Sequence, residues 1–72
     1  SKTRKRHIVQ ARQLAMFFAK KFTKASLASI GSQIGQRDHA TVLHACKTVD
    51  NLSSTDKQFR KYVEDLNKKL TL

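Results

Sequence analysis

The sequence predicts a small all-α fold, and three observations carry that prediction. Apolar residues recur at spacings of three and four along most of the chain. Proline is absent and glycine occurs only twice, which removes most of the vocabulary of hairpins and sheets. At 72 residues, 39% hydrophobic and 7% aromatic, the chain can fill one small helical core, and its size argues against a large active-site cleft. A lone cysteine cannot form an internal disulfide, and no apolar run approaches a signal segment or a membrane span. A cytoplasmic protein is expected.

The elements follow in order. "SKTRKR", residues 1–6, has no apolar periodicity and reads as an extended basic arm. Ile8, Ala11, Leu14 or Ala15, Phe18 and Phe22 then predict an amphipathic helix over about 7–24, with Arg12, Lys20 and Lys24 on its solvent face. Ser26 is placed to cap a short second helix with Leu27, Ile30 and Ile34 inward, and Gly35 to end it in a left-handed conformation. Asp38 is the expected N-cap of a third helix, whose inward stripe is Val42, Ala45, Cys46, Val49 and Leu52. "TDKQ", residues 55–58, matches a capping box, followed by Phe59, Tyr62, Val63, Leu66 and Leu70 as the buried side of a fourth helix to about residue 70. A short helix, a glycine-containing turn and a longer helix with a polar front outline a helix-turn-helix over about 26–52. Residues 1–72 are read as one domain.

Fifteen Lys+Arg against five Asp+Glu give a net charge of +10, which predicts attraction to polyanions. The charge is uneven: Lys2, Arg4, Lys5, Arg6, Arg12, Lys20, Lys21 and Lys24 fall in the first 24 residues with no acidic residue among them. That third is the expected polyanion-facing part. The chain opens on "SKTRKR" without an initiator methionine, from which a fragment lacking N-terminal context is expected.

The stretch "GQRDHATVLHAC", residues 35–46, gathers two histidines and the cysteine. At about 100° per residue, His39 and Cys46 lie toward one side of a helix and His44 points away, so the three do not form a metal site. Asp38 and His39 are adjacent, face different ways and lack a nucleophile in a recognisable arrangement, so catalysis is not expected. The same arithmetic places Ala40, His44, Lys47 and Asn51 in an arc of roughly 60° opposite Val42, Cys46 and Val49, free to meet a partner. Residues 38–41 form the first turn, the part of a helix-turn-helix that enters the major groove. Asp38, His39 and Thr41 offer hydrogen-bonding groups there, and Ala40 a methyl for thymine. The plainer reading is that Asp38 caps and its neighbours are solvated; the two are compatible.

"GQRDHATVLHAC", with "SKTRKR...ARQLAMFFAKKFTKASLASIG" before it, resembles the C-terminal DNA-binding domain (domain IV) of the bacterial replication-initiator family DnaA, without a gap from residue 1 to about 52. The resemblance implies an all-helical, Trp-repressor-like domain that binds a short asymmetric A·T-rich duplex, the DnaA box, as a monomer at the origin, in the bacterial nucleoid. It further implies Arg4 in the minor groove and Asp38, His39, Ala40 and Thr41 at bases in the major groove. Lys2, Arg6, Gln13, Lys20, Arg37 and His44 would hold phosphates, joined by Lys47 on the free face. No cofactor is implied for these residues, since ATP would bind a domain ahead of them. The family often has threonine at Ala40 and leucine-proline at Leu27 and Ala28; the first departure bears on a base contact, the second on a helix start. Two helices that usually precede the basic arm are also missing from this stretch.

The reading is therefore a sequence-specific double-stranded DNA-binding domain, not an enzyme, not a membrane protein and without a metal. The rivals are a helix-turn-helix transcription regulator of another family, which would bind a palindrome as a dimer, and a module docking replication-regulator proteins. RNA binding is disfavoured because the phenylalanines occupy predicted core positions rather than forming a stacking platform.

Overall fold

The computed structural model describes residues 2–71, with side chains from residue 4 onward. Among these residues it is helical without strands: α1 (Lys2–Phe22), α2 (Leu27–Gln33), α3 (His39–Thr55) and α4 (Lys57–Leu70). None of these helices is long and apolar enough to cross a membrane.

The basic arm is not extended. Residues 2–6 form the opening turns of α1. Lysine and arginine are good helix formers, no proline or glycine intervenes, and a helix already nucleated downstream extends at little cost. At its other end α1 stops at Phe22, two residues early, where Thr23 turns its hydroxyl back onto the Ala19 carbonyl at 2.6 Å and accepts the Ala25 amide at 3.2 Å.

Both caps expected around the helix-turn-helix are present. Ser26 Oγ accepts the Ser29 amide at 3.0 Å and starts α2 at Leu27, so the departure at Ala28 leaves that start intact. Gly35 ends α2 with φ +75°, and Gln36 follows at φ +53°, making a tight left-handed corner. Asp38 Oδ1 then accepts the Thr41 amide at 2.8 Å. That bond holds the Asp38 carboxyl below the ordinary aspartate range, and the nearby His39 adds a smaller pull in the same direction.

The fourth helix is capped one residue later than expected. Asp56 accepts the Phe59 amide at 3.1 Å, while Thr55 remains the last residue of α3 with its hydroxyl on the Asn51 carbonyl. A carboxylate outranks threonine as an N-cap, so Asp56 displaces the "TDKQ" box. The Asp56 amide also donates to the Leu52 carbonyl at 2.8 Å, which makes one residue the end of α3 and the start of α4.

Packing centres on α3. Its Val42 and Ala45 meet Met16 of α1 and Ile30 of α2, with Ala19, Leu27, Ile34 and Cys46 around them. One and a half turns on, Val49 meets Leu14 and Phe18 of α1 and Val63 of α4, flanked by Phe17, Phe59 and Leu66. α1 is thus gripped on two sides, since Met16 lies about 200° round the helix from Leu14. A single three-four stripe misses this. Met16 is 1% exposed, whereas the predicted Ile8 is 52% and Phe22 45% exposed. Phe22 instead stacks on Phe18 at 5.9 Å with the Lys21 ammonium over its ring. On α4, Val63 is buried and Phe59 and Leu66 are half-buried, but Tyr62 and Leu70 are exposed. That helix leans mainly on α3, which covers only a narrow strip.

Two outcomes follow. In urea titrations Met16→Ala should cost about 2–5 kcal/mol, the usual loss for a fully buried methionine, while Ile8→Ala should stay within about 0.5 kcal/mol. Because the Asp38 carboxyl titrates lower in the folded chain than in the unfolded one, its cap is fully effective above the ordinary aspartate value of about 3.9 and is lost as pH falls through the lowered folded value. Thermal melts between neutral pH and about pH 3 should show Asp38→Ala lowering the midpoint at neutrality and flattening the acid limb. Asp38→Asn should keep most of the neutral stability and flatten the limb likewise.

Candidate nucleic-acid interface

The surface begins at the corner between α2 and α3. Past Gln36 the chain presents Arg37, Asp38, His39, Ala40 and Thr41 in succession, and all five are exposed. Nothing in the core calls for polar groups at this helix end. Its inward residues begin at Val42, which is 0% exposed. Asp38 commits Oδ1 to the cap, so the plainer reading of this residue is correct for that atom, and a carboxylate retains further acceptor capacity. Ala40, His44, Lys47 and Asn51 are all exposed, and they run down α3 as the free face that the angular arithmetic expects.

Beside this face, α1 and α3 enclose an open crevice of about 140 Å³. Arg12, Gln13, Arg37, Thr41 and His44 stand at its walls, with Val9, Met16 and Ala45 supplying apolar lining. Two of these residues also converge on Gly35: a Cβ there would lie 3.3 Å from Arg37 Nε and 4.0 Å from Arg12 Nε, so two guanidinium stems lean over one bare backbone position. Like charges gathered this closely suit an oxyanion, which a planar guanidinium binds through two parallel donors.

Arg12 is one more residue that periodicity misplaces. The three-four spacing places it in solvent on the outer face of α1, yet it is half-buried at this crevice. The available signal was charge: Asp38 is the first acidic residue in the chain, so neither Arg12 nor Arg37 has a carboxylate before it in sequence. An ion pair, Lys61 Nζ to Asp65 Oδ2 at 3.9 Å, lies on α4, where it is exposed.

The remaining expected residues scatter around this centre. Arg4 and Arg6 sit on the exposed opening turns of α1, and the side chain of Lys2 lies outside the described residues. Lys20 is exposed on α1 within electrostatic reach of Cys46. The Cys46 thiol is pushed up by burial, with Asp50 adding and Lys20 opposing, and therefore stays protonated at neutral pH. Among the described residues no three of His, Cys, Asp or Glu converge as metal ligands.

A family model described as the bacterial dnaA protein helix-turn-helix matches residues 1–49, that is α1, α2 and α3 through Val49. Over its full 72 residues the chain is 83% identical to the chromosomal replication initiator protein DnaA of Flavobacterium psychrophilum, of which it covers 15%. It is 53% identical to the same protein of Bacteroides thetaiotaomicron over 66 residues, 92% of the chain and 14% of that protein. With that of Thermodesulfovibrio yellowstonii it shares 44% identity over 71 residues, 99% of the chain and 16% of that protein. The chain therefore spans only about 15% of the length of these curated relatives. The corner, its two caps and the matched residues agree, and the chain belongs to the C-terminal helix-turn-helix family of bacterial DnaA proteins.

Proposed function

We propose that this chain is a sequence-specific duplex DNA-binding domain that places a replication initiator on short A·T-rich boxes at a chromosomal origin. The observation that carries the reading is the continuity of two surfaces, an exposed polar helix tip and a cationic crevice beside it. In this reading the first turn of α3 enters the major groove, where His39 and Thr41 meet base edges, Ala40 offers a methyl to thymine, and Asp38 caps while accepting from a base. Arg12, Gln13, Arg37 and His44 hold phosphates from the crevice, with Lys47 continuing down α3 and Lys20 and Arg6 along α1. Arg4 reaches the minor groove from the opening turns of α1. Residues 4–9 are exposed, so core packing does not restrain those turns from following the DNA backbone. Selection of bound duplexes from a random pool tests the whole: one asymmetric A·T-rich motif is expected, and a palindrome would point to a dimeric regulator of another kind.

Salt separates the electrostatic part. Log K should fall linearly with log salt at about −0.9 per phosphate held, and Arg37→Ala or Arg12→Ala should reduce that slope by about one while weakening selected and scrambled duplexes alike. An affinity indifferent to salt would remove the phosphate assignment.

Base reading is tested at the tip. His39→Ala should lose about 1–3 kcal/mol on the selected duplex and little on a scrambled one. Ala40→Thr, exposed and away from the core, should fold normally by circular dichroism and hold or strengthen specific binding. Full discrimination by His39→Ala would return the tip to a cap with solvated neighbours.

A further inference from the structure

Gly31 is buried in the middle of α2, where glycine is a poor helix former. Its backbone does not require glycine, because among the described residues the positive-φ positions are Gly35 and Gln36. Space does. A Cβ at this residue would overlap the Arg37 carbonyl oxygen, stand 2.9 Å from the Arg37 carbonyl carbon, and lie 3.2 Å from the Asp38 carbonyl oxygen. All three are backbone atoms, which cannot swing aside as a side-chain end can. The Arg37 amide also donates to the Gly31 carbonyl at 2.6 Å. The Arg37–Asp38 backbone therefore rests on Gly31 by a hydrogen bond and by direct contact, immediately before Asp38 caps α3.

We infer that Gly31 is a positioning residue for DNA recognition: its bare Cα seats the Arg37–Asp38 backbone against α2 and so sets where the first turn of α3 stands relative to α1. The inference rests on the DNA-binding reading above. Arg12 and Gln13, on the far wall of the crevice, belong to α1, which Leu14 and Phe18 tie to Val49 and Val63, away from the corner. The tip residues His39, Ala40 and Thr41 follow the seat directly. The corner between has little give, because Gly35 and Gln36 are both held in the left-handed region. A methyl at residue 31 therefore displaces the base-facing tip together with Arg37, while Arg12 and Gln13 on α1 stay in place.

The test compares the parent chain with Gly31→Ala and with Gly31→Ala combined with Gln36→Gly, which frees the corner to accommodate the methyl. Each is titrated with the duplex that the parent selects from a random pool and with its scrambled version, with circular dichroism for folding and amide hydrogen exchange at Thr41 for the cap. The expected result is a loss of discrimination of about tenfold or more, the worth of a base contact, with scrambled-duplex affinity falling no further than it does in Arg37→Ala. Thr41 exchange should quicken without DNA present. Should Gly31→Ala alone not fold, the double variant is expected to fold and show the same loss. Folded variants that discriminate like the parent would overturn the inference. So would a proportional loss on both duplexes, or a failure of both variants to fold, since either makes Gly31 a prop of the whole fold. A parent chain that prefers no duplex sinks the DNA reading instead, and Thr41 exchange then decides alone whether Gly31 seats the tip.

Discussion

One helix, α3, has to be both the centre of the core and the bearer of the exposed face, and the rest of the architecture follows from that double demand. Its 3.6-residue period divides the surface lengthwise: Val42, Ala45 and Val49 turn inward at 3% exposure or less, while Ala40, His44, Lys47 and Asn51 turn out. The inward stripe is too narrow to bury against one neighbour. It is shared between α2 at the N-terminal end and α4 further along, with α1 crossing both clusters. Because each cluster contains only four buried residues, no layer of the core is redundant. A chain of this size lives on a small stability margin.

Charge is arranged with the same economy. The chain collects nine of its fifteen cations before its first carboxylate, Asp38, and that carboxylate is engaged as a helix cap. α1 accordingly lacks acidic residues in its first turn, where the helix dipole would favour them. The helix holds through packing of Leu14, Met16 and Phe18 rather than through local electrostatics. An unneutralised cationic surface is destabilising in isolation and useful against a polyanion. The Arg12 and Arg37 stems approach each other over Gly35, which gathers positive charge at one place.

Most of the fold was legible because its signals are local. Ser26, Gly35 and Asp38 announce themselves by residue type next to apolar periodicity, and each is found in its expected role. The free face of α3 was legible for the same reason, since angular position needs only the helix period. What escaped depends on neighbours. Met16 is buried because α1 is held from two sides, Arg12 reaches the crevice because α3 crosses there, and Tyr62 and Leu70 stay exposed because α4 covers little. The basic arm is helical for another reason: absence of an apolar pattern says that a segment is not packed, and does not say that it is not helical. Asp56 over Thr55 was a contest between two adjacent capping residues that a motif match alone does not settle.

Asp56 has a mechanical consequence. It closes α3 through its amide, opens α4 through its carboxylate, and accepts the Arg60 amide at 2.9 Å, while Arg60 Nε ties back across the joint to the Ser53 carbonyl at 2.7 Å. An elbow one residue wide, braced on both sides, has no slack. α3 and α4 consequently behave as a single bent rod rather than as two hinged struts. A torque applied to α4 reaches His39, seventeen residues from the elbow at Asp56, without passing through a loop longer than that one residue.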